Sequence, residues 1–321
     1  MTNSFQECSN YSKYGGLDFN RLRSGPFEGP GIVIPPALPE DTYREIFMKD
    51  MTLNCSPGEY DLIRGIYEDF SVQFQKSIAE LQSRGKSDLA DLMKKRGYSI
   101  FYNDPRVTLK PGKVYLVGLN PGGRDTEDYD SEGDEDLEWW EAKERKLKHP
   151  FSSYLDDEWF QGRGEGNSPH QKNVCSVLSH LRNEIEPPEE AARSTCCVNL
   201  YFYRTPNVGK LQAYPMELLD CWLFHERFLE IVRPEIIICN GNADALSSFS
   251  VFREKFEKKQ AVNCEPINKW RSVKWFVTPA TWSAEKKLLI IGIPHLSRPY
   301  ASVSAILKAI NIAIEKASLN V

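Results

Sequence analysis

Eight cysteines are spread over 321 residues, and no two form a Cys-x-x-Cys pair. That spacing argues against a zinc ribbon or an iron–sulfur cluster. Most of the cysteines sit among apolar neighbours, the setting of reduced, buried thiols. No apolar run approaches membrane-spanning length. The first residues, MTNSFQECSN, have no basic start and no apolar core, so no secretory signal is read there. An intracellular protein without a membrane partner is the expectation. Histidine is scarce, with five in the chain.

Net charge is −5, which at first argues against nucleic acid. Its distribution says more. Between Asp125 and Glu141 lie ten acidic residues and no Lys or Arg; set aside, they turn −5 into +5 for the remainder. One acidic insertion masks a mildly basic body, which permits DNA as a partner without requiring it.

The chain reads as two parts. Residues 1–99 form an N-terminal arm and helical extension. Within it, residues 1–56 are rich in Ser, Asn, Gly and Pro, with GPFEGPG and IPPALPE as turn punctuation. Residues 57–85 carry Leu62, Ile66, Phe70, Phe74, Ile78 and Leu81 at spacings of four and three, an amphipathic helix ended by Gly85. A second short helix is expected over 87–95. Residues 100–321 form an α/β body with the acidic insertion at 124–149. Apolar runs at 113–119, 195–202, 235–241 and 287–295 read as buried strands, and 272–279 as a strand whose place in the sheet is open. Helical patterns fill 168–184 (Ser168 as N-cap, Pro169 next), 214–232, 242–256 and 299–317. The expected fold class is α/β: three layers, α/β/α, around a short, mainly parallel sheet.

In such sheets function collects at the carboxyl ends of strands. Three strand-end loops carry polar residues. The first is Gly118-Leu119-Asn120-Pro121-Gly122-Gly123, which is neither a P-loop nor a dinucleotide fingerprint. The second holds Asn199 in CVNLYFYRTPN. The third, GIPHLSRPY, holds His295, Ser297 and Arg298. Singly, each has an ordinary structural reading: a tight turn, a core amide, a structural histidine. His149, His170, His180 and His225 sit in loop or helix contexts with no obvious partner. The information lies in the joint placement of the three loops.

That pattern resembles the uracil-DNA glycosylase superfamily, most of all the single-strand-selective monofunctional branch with its Gly-x-Asn-Pro-Gly first motif. Gly118 to Gly122 match this motif, Asn199 the asparagine near a strand end, and His295-Leu296-Ser297 the His-x-Ser loop. The resemblance covers roughly residues 100–321. It departs where the family loop commonly reads His-Pro-Ser-Pro; the duplex-wedging position falls on Pro299, with Arg298 in a shifted register.

The resemblance implies a monofunctional DNA glycosylase. It would cleave uracil or a modified pyrimidine from DNA, with Asn120 positioning water and His295 stabilising the departing base. Gly118, Leu119, Pro121, Gly122 and Gly123 would approach base or phosphate, Asn199 would read the base edge, and Phe151 or Tyr154 would stack on it. Arg204, Lys210, Ser297 and Arg298 would contact DNA, as would Lys269, Arg271 and Lys274. No cofactor or metal is implied. The acidic insertion, with Trp139 and Trp140, reads as a solvated loop, as a lid for a larger or modified base, or as a docking site for a basic protein. Base repair and restriction of phage DNA are both contexts for such an enzyme. Two other classes stay open: a non-catalytic nucleic-acid-binding module on the same scaffold, and a nucleoside or nucleotide hydrolase.

Overall fold

Four of the apolar runs become adjacent parallel strands. The computed structural model of the chain describes residues 57–122, 136–159, 162–185, 187–256, 262–269, 271–297 and 302–319. The fold is α/β. Its strands are β1 (Val114–Gly118), β2 (Cys196–Asn199), β3 (Ile236–Asn240), β4 (Asn263–Asn268), β5 (Arg271–Ala280) and β6 (Ser283–Ile293). They form one mixed sheet in the order β2-β1-β3-β6-β5-β4. The pairs β2–β1, β1–β3 and β3–β6 are parallel; β6–β5 and β5–β4 are antiparallel.

The helices longer than one turn are α1 (Pro57–Ser83), α2 (Ser87–Arg96), α3 (Leu137–Leu147), α4 (Pro169–Leu181), α5 (Pro188–Arg193), α6 (Trp222–Val232), α7 (Ser248–Lys255) and α8 (Val303–Leu319). Alternation along the strands splits the core in two. Tyr115, Val117, Cys196, Val198, Ile237, Cys239 and Ile290 face α1, α2, α6 and α7. Val114, Leu116, Cys197, Ile236, Ile238, Leu289 and Ile291 face α4 and α8. Both faces are therefore closed to water, as parallel strands with no polar alternation require.

Handedness explains which helix goes where. The step from β1 to β2 passes through α4 on one face. The step from β2 back past β1 to β3 runs the opposite way, so a right-handed crossover puts α6 on the other face. The strand order thus reverses between β1 and β3. Chain leaving their carboxyl ends departs to opposite sides, which opens a crevice at that rim.

The spacing read from residues 57–85 holds. Ile66, Phe70, Phe74, Ile78 and Leu81 are buried, and Leu62 is half-buried. Each buried side chain of this size contributes ~1.5–3 kcal/mol by leaving water. Gly85 adopts φ 69° past the end of α1, and the Lys86 N–H closes on the Leu81 carbonyl. The core is continuous across residue 99: α1 packs with Val117, Val198 and Ile237 of the sheet. Segment 98–103 then runs along the outer edge of β2, with Ser99 N–H on the Phe202 carbonyl and Tyr102 N–H on the Cys197 carbonyl, both 2.9 Å.

Four expectations change. The helix read over 242–256 begins only at Ser248, capped by Ser247. The helix read over 214–232 begins only at Trp222; Pro215 and a short 3-10 turn at Met216–Leu218 precede it. β4 was not foreseen, because NCEPIN has no apolar run and one buried residue at its centre. The second half of the acidic insertion is α3, not a solvated loop. Asp136 caps it by accepting the Trp139 N–H, Trp140 is fully buried, and its indole donates to the Tyr67 hydroxyl at 2.6 Å. Glu144 pairs with the buried Arg106 at 2.9 Å, and Arg106 is also held by Asp104. The most acidic part of the insertion, 123–135, lies outside the described residues, as do residues 1–56. The described cysteines are unbridged, and four of them are buried.

Candidate active site

Parallel pairing brings the ends of β1, β2, β3 and β6 to one rim. Gly118 stands directly beside Asn199, and Asn240 beside Ile293. The loops after β1 and β2 then run together. Leu200 N–H reaches the Gly118 carbonyl, Tyr201 N–H the Leu119 carbonyl, and Thr205 N–H the Pro121 carbonyl. This zipper fixes Asn120. Its Nδ2 lies 2.9 Å from the Pro121 carbonyl, 3.0 Å from the Thr205 carbonyl and 2.8 Å from Thr205 Oγ1. Two N–H hydrogens serve three acceptors, so the nitrogen end is fully used. The carbonyl end, Oδ1, has no partner among the described residues. Only that end can hold a hydrogen of water.

Asn199 is fully buried. Its Oδ1 accepts from the Tyr102 hydroxyl at 3.1 Å, and its Nδ2 is a buried donor with no partner. An unmet buried donor costs about 1–3 kcal/mol, so it calls for a reason. Gly118 makes room for this amide: a Cβ there would sit 2.7 Å from Asn199 Oδ1. The glycine of the first motif is thus required for close approach between strands.

His295 follows β6. Ser297 donates its backbone N–H to His295 Nδ1 at 3.3 Å, and its hydroxyl lies 2.7 Å from the same nitrogen. A ring nitrogen that accepts a backbone N–H carries no proton, so in the neutral ring the proton sits on Nε2. Ser297, expected to touch DNA, here orients the imidazole. The loop is anchored at Leu296, whose N–H donates to Asn240 Oδ1 at 3.0 Å and whose carbonyl accepts from Asn173 Nδ2 at 2.8 Å.

The Leu296 bond also settles a second histidine. With Asn240 Oδ1 used by a backbone donor, Nδ2 is the end that meets His170 Nε2, at 2.9 Å. His170 Nε2 is therefore an acceptor and its Nδ1 holds the proton. Burial, with the nearby His295 adding to it, lowers the His170 pKa to about 3. The two imidazole centroids are 4.9 Å apart. Trp159 packs on His170 at 5.3 Å and on Tyr102 at 5.8 Å. A continuous arc of contacts results: His295, His170, Trp159, Tyr102, Asn199, Gly118, then the loop holding Asn120.

No family model matches the chain, and no curated protein matches it. The functional reading therefore rests on these residues and their geometry.

The structure joins some predicted residues to this arc and sets others apart. Gly118, Asn120, Asn199, His295 and Ser297 belong to it. Leu119 is half-buried, Pro121 is buried against Thr205, and Gly122 is exposed. Phe151 and Tyr154 are corrected: both are interior, at 2% and 1% exposure. Phe151 packs under Trp139 and Trp140, and Tyr154 lies against Tyr102 and Trp159. Neither presents a face on which a base can stack. Two half-buried rings of the arc, Tyr102 and Trp159, were passed over by sequence reasoning. Arg204 sits on the loop after β2, half-buried, and Lys210 is exposed on a short turn capped by Asn207. Lys274 pairs with Asp244 at 2.6 Å. Gly123, Arg298 and Pro299 lie outside the described residues.

His225 was also left without a partner by the sequence. It is buried between the Tyr115 hydroxyl (2.8 Å from Nδ1) and the Leu200 carbonyl (3.0 Å from Nε2), and burial lowers it to about 4. Among the described residues no helix is long and apolar enough to cross a membrane, and no three His, Cys, Asp or Glu side chains gather as a metal site would need.

Proposed function

We propose that this chain is a monofunctional DNA glycosylase on a three-layer, uracil-DNA glycosylase-like scaffold. It hydrolyses the N-glycosidic bond of uracil or a modified pyrimidine and leaves an abasic site. The observation that carries the reading is the rim itself. It gathers a tethered amide with one carbonyl to spare (Asn120), a buried unmet donor (Asn199) and an imidazole with its proton on Nε2 (His295).

The chemistry needs those three things. As the C1′–N bond breaks, its electron pair leaves with the base and positive charge grows on the sugar. Such a sugar accepts a weak nucleophile, so water need only be held in place, and Asn120 Oδ1 does this. Negative charge collects on the base oxygens, where the His295 Nε2–H is a preorganised donor. A neutral imidazole is enough. The target nucleotide leaves the stack at a cost of a few kcal/mol, least for unpaired or damaged bases. Arg204 and Lys210, on the chain that follows β2, serve the phosphates. Side chains and water suffice, without cofactor or metal. A role inside the cell follows, in repair or in restriction of foreign modified DNA, with the acidic residues of 124–149 a candidate attraction for a basic protein partner.

The test is alkaline cleavage of oligonucleotides carrying uracil, 5-hydroxymethyluracil, 5-hydroxymethylcytosine or glucosylated pyrimidines after incubation with the protein. The expected result is a cut at one of these bases. His295→Ala should slow it by about 10²–10³-fold at unchanged Tm, and Asn120→Ala by as much with a lowered Tm, since the bonds to Pro121 and Thr205 go with the amide. Tight binding with no cut on any substrate assigns the chain to a non-catalytic binding module. Cleavage of free nucleosides in preference to DNA, with no salt dependence, assigns it to small-molecule hydrolysis.

A further inference from the structure

Two imidazoles stand together at the rim, and base release as proposed above uses one. The other belongs to His170, in the first turn of α4. Three neighbours fix its place. Asn240 Nδ2 lies 2.9 Å from its Nε2, the His295 ring is 4.9 Å away at a tilt of 45°, and Trp159 packs at 5.3 Å.

The direction of the Asn240 bond has one solution. A backbone N–H can only donate, so the Leu296 N–H, 3.0 Å away, requires the oxygen end of Asn240. A reversed amide would set Nδ2 against that N–H, donor on donor, at a residue only 2% exposed. Nδ2 also only donates, so His170 Nε2 accepts and carries no hydrogen. The proton of the neutral ring is on Nδ1. The ring is half-buried, and this N–H has no hydrogen-bond partner among the described residues. Burial, helped by His295, lowers the His170 pKa to about 3, so the ring is a neutral donor at neutral pH.

We infer that His170 is a second catalytic histidine, whose Nδ1–H joins the His295 Nε2–H in binding the negative oxygen of the departing pyrimidine. This rests on the glycosylase reading above. When the C1′–N bond breaks, its electron pair leaves with the base and spreads onto the carbonyl oxygens. Two N–H groups serve one such oxygen when each lies about 2.7–3.1 Å from it, and ring centroids 4.9 Å apart allow this. Neither imidazole gives up its proton. The oxygen of the attacking water ends on C1′, and the proton that water releases neutralises the base.

The experiment sets His170→Asn against His170→Gln. Asn brings its amide nitrogen to where the histidine has Nδ1, but gives up Asn240. Gln reaches the Nε2 position and accepts from Asn240, but offers no donor at Nδ1. Single-turnover release of the base that wild type cuts is read per folded molecule at pH 7. His170→Gln should hold Tm and lose about 10²-fold in rate, the cost of one donor to a developing oxyanion. His170→Asn should lower Tm, because Asn240 Nδ2 is left unpaired, yet exceed the Gln variant in rate by about tenfold. A histidine that only props Asn240 and the Leu296 loop gives the opposite order. That order, or equal rates, overturns the inference. A second readout needs no base release. With the histidine ring nitrogens labelled, NMR of wild type should show His170 protonated at Nδ1 and bare at Nε2. The Nδ1 resonance should move on adding a single-stranded uracil oligonucleotide whose target sugar carries a 2′-fluorine that blocks cleavage. The reverse tautomer, or a resonance that stays in place, overturns the inference. A resonance that moves in a protein that frees no base from any oligonucleotide sinks the proposed function and leaves His170 as a donor to a bound base.

Discussion

On one face of the sheet Tyr115 donates its hydroxyl to His225 Nδ1, and His225 donates from Nε2 to the Leu200 carbonyl, so the run of polar groups ends in a closed circuit. On the other face Asn199 accepts from Tyr102 and keeps a buried N–H with nothing to give it to. The same strands supply both, one residue apart in alternation: Tyr115 and Val198 point one way, Leu116 and Asn199 the other. Burial by itself therefore does not distinguish structure from site. Satisfaction separates these two groups: every bond of the first is made, and the N–H of the second is left open.

The comparison can be strained from either side. The largest effect belongs to the closed face. Phe70 is fully buried against Phe74, Tyr98, Phe202, Tyr203 and Phe224. Phe70→Ala should cost about 3–5 kcal/mol in urea unfolding, with base release per folded molecule unchanged. A loss of chemistry at full stability would mean that this face belongs to the site after all.

Acid comes next, because it acts on both faces at once. His170 and His225 titrate near 3 and 4 when folded and near 6.5 when unfolded. Above pH 6.5 both states hold neutral rings and nothing is gained or lost. Below it the unfolded chain takes up protons that the folded chain refuses, so stability falls as pH falls, until the folded pKa is reached. At pH 5 the loss is about 2 kcal/mol for each ring. His170→Gln and His225→Gln should each remove one proton's worth of that slope between pH 7 and 5; a slope unchanged in both variants refutes the assignment.

The smallest effect sharpens the contrast most. Tyr115→Phe takes a donor from the closed circuit and should cost about 1–3 kcal/mol. Asn199→Ala removes the unmet donor together with the bond to Tyr102, so its net cost should stay within about 1 kcal/mol while base release collapses. Equal losses of stability in the two variants would erase the distinction between the faces.

Local chemistry made much of this legible in the sequence. Phe70, Phe74 and Ile78 announced α1 by spacing. The runs around Leu116, Val198, Ile238 and Ile290 announced parallel strands, and with them the rim where Asn120, Asn199 and His295 end up. What stayed hidden depends on distant partners. His170 looked idle because Asn240, which fixes its tautomer, is seventy residues away. Tyr102 precedes every motif, and only the path of segment 98–103 beside β2 brings its hydroxyl to Asn199. Periodicity misled at 214–221, where Met216, Leu218 and Leu219 mimic a helix that Pro215 and a tight turn replace. In α3 the acidic neighbours drowned the signal of Leu137 and Trp140, and Phe151 or Tyr154 read as the base stacker because nothing local showed Trp139, Trp140 and Trp159 covering them.

Segment 98–103 has one more consequence. β2 ends the sheet, and an uncovered edge of that kind recruits strands from other chains into aggregates. Here the segment that shields the edge is also the one that carries Tyr102. Edge protection and the hold on a buried amide therefore depend on the same six residues: a substitution that peels this strip away would expose a sticky edge and free the Asn199 carbonyl together, so that misassembly and a loosened rim arrive as one phenotype.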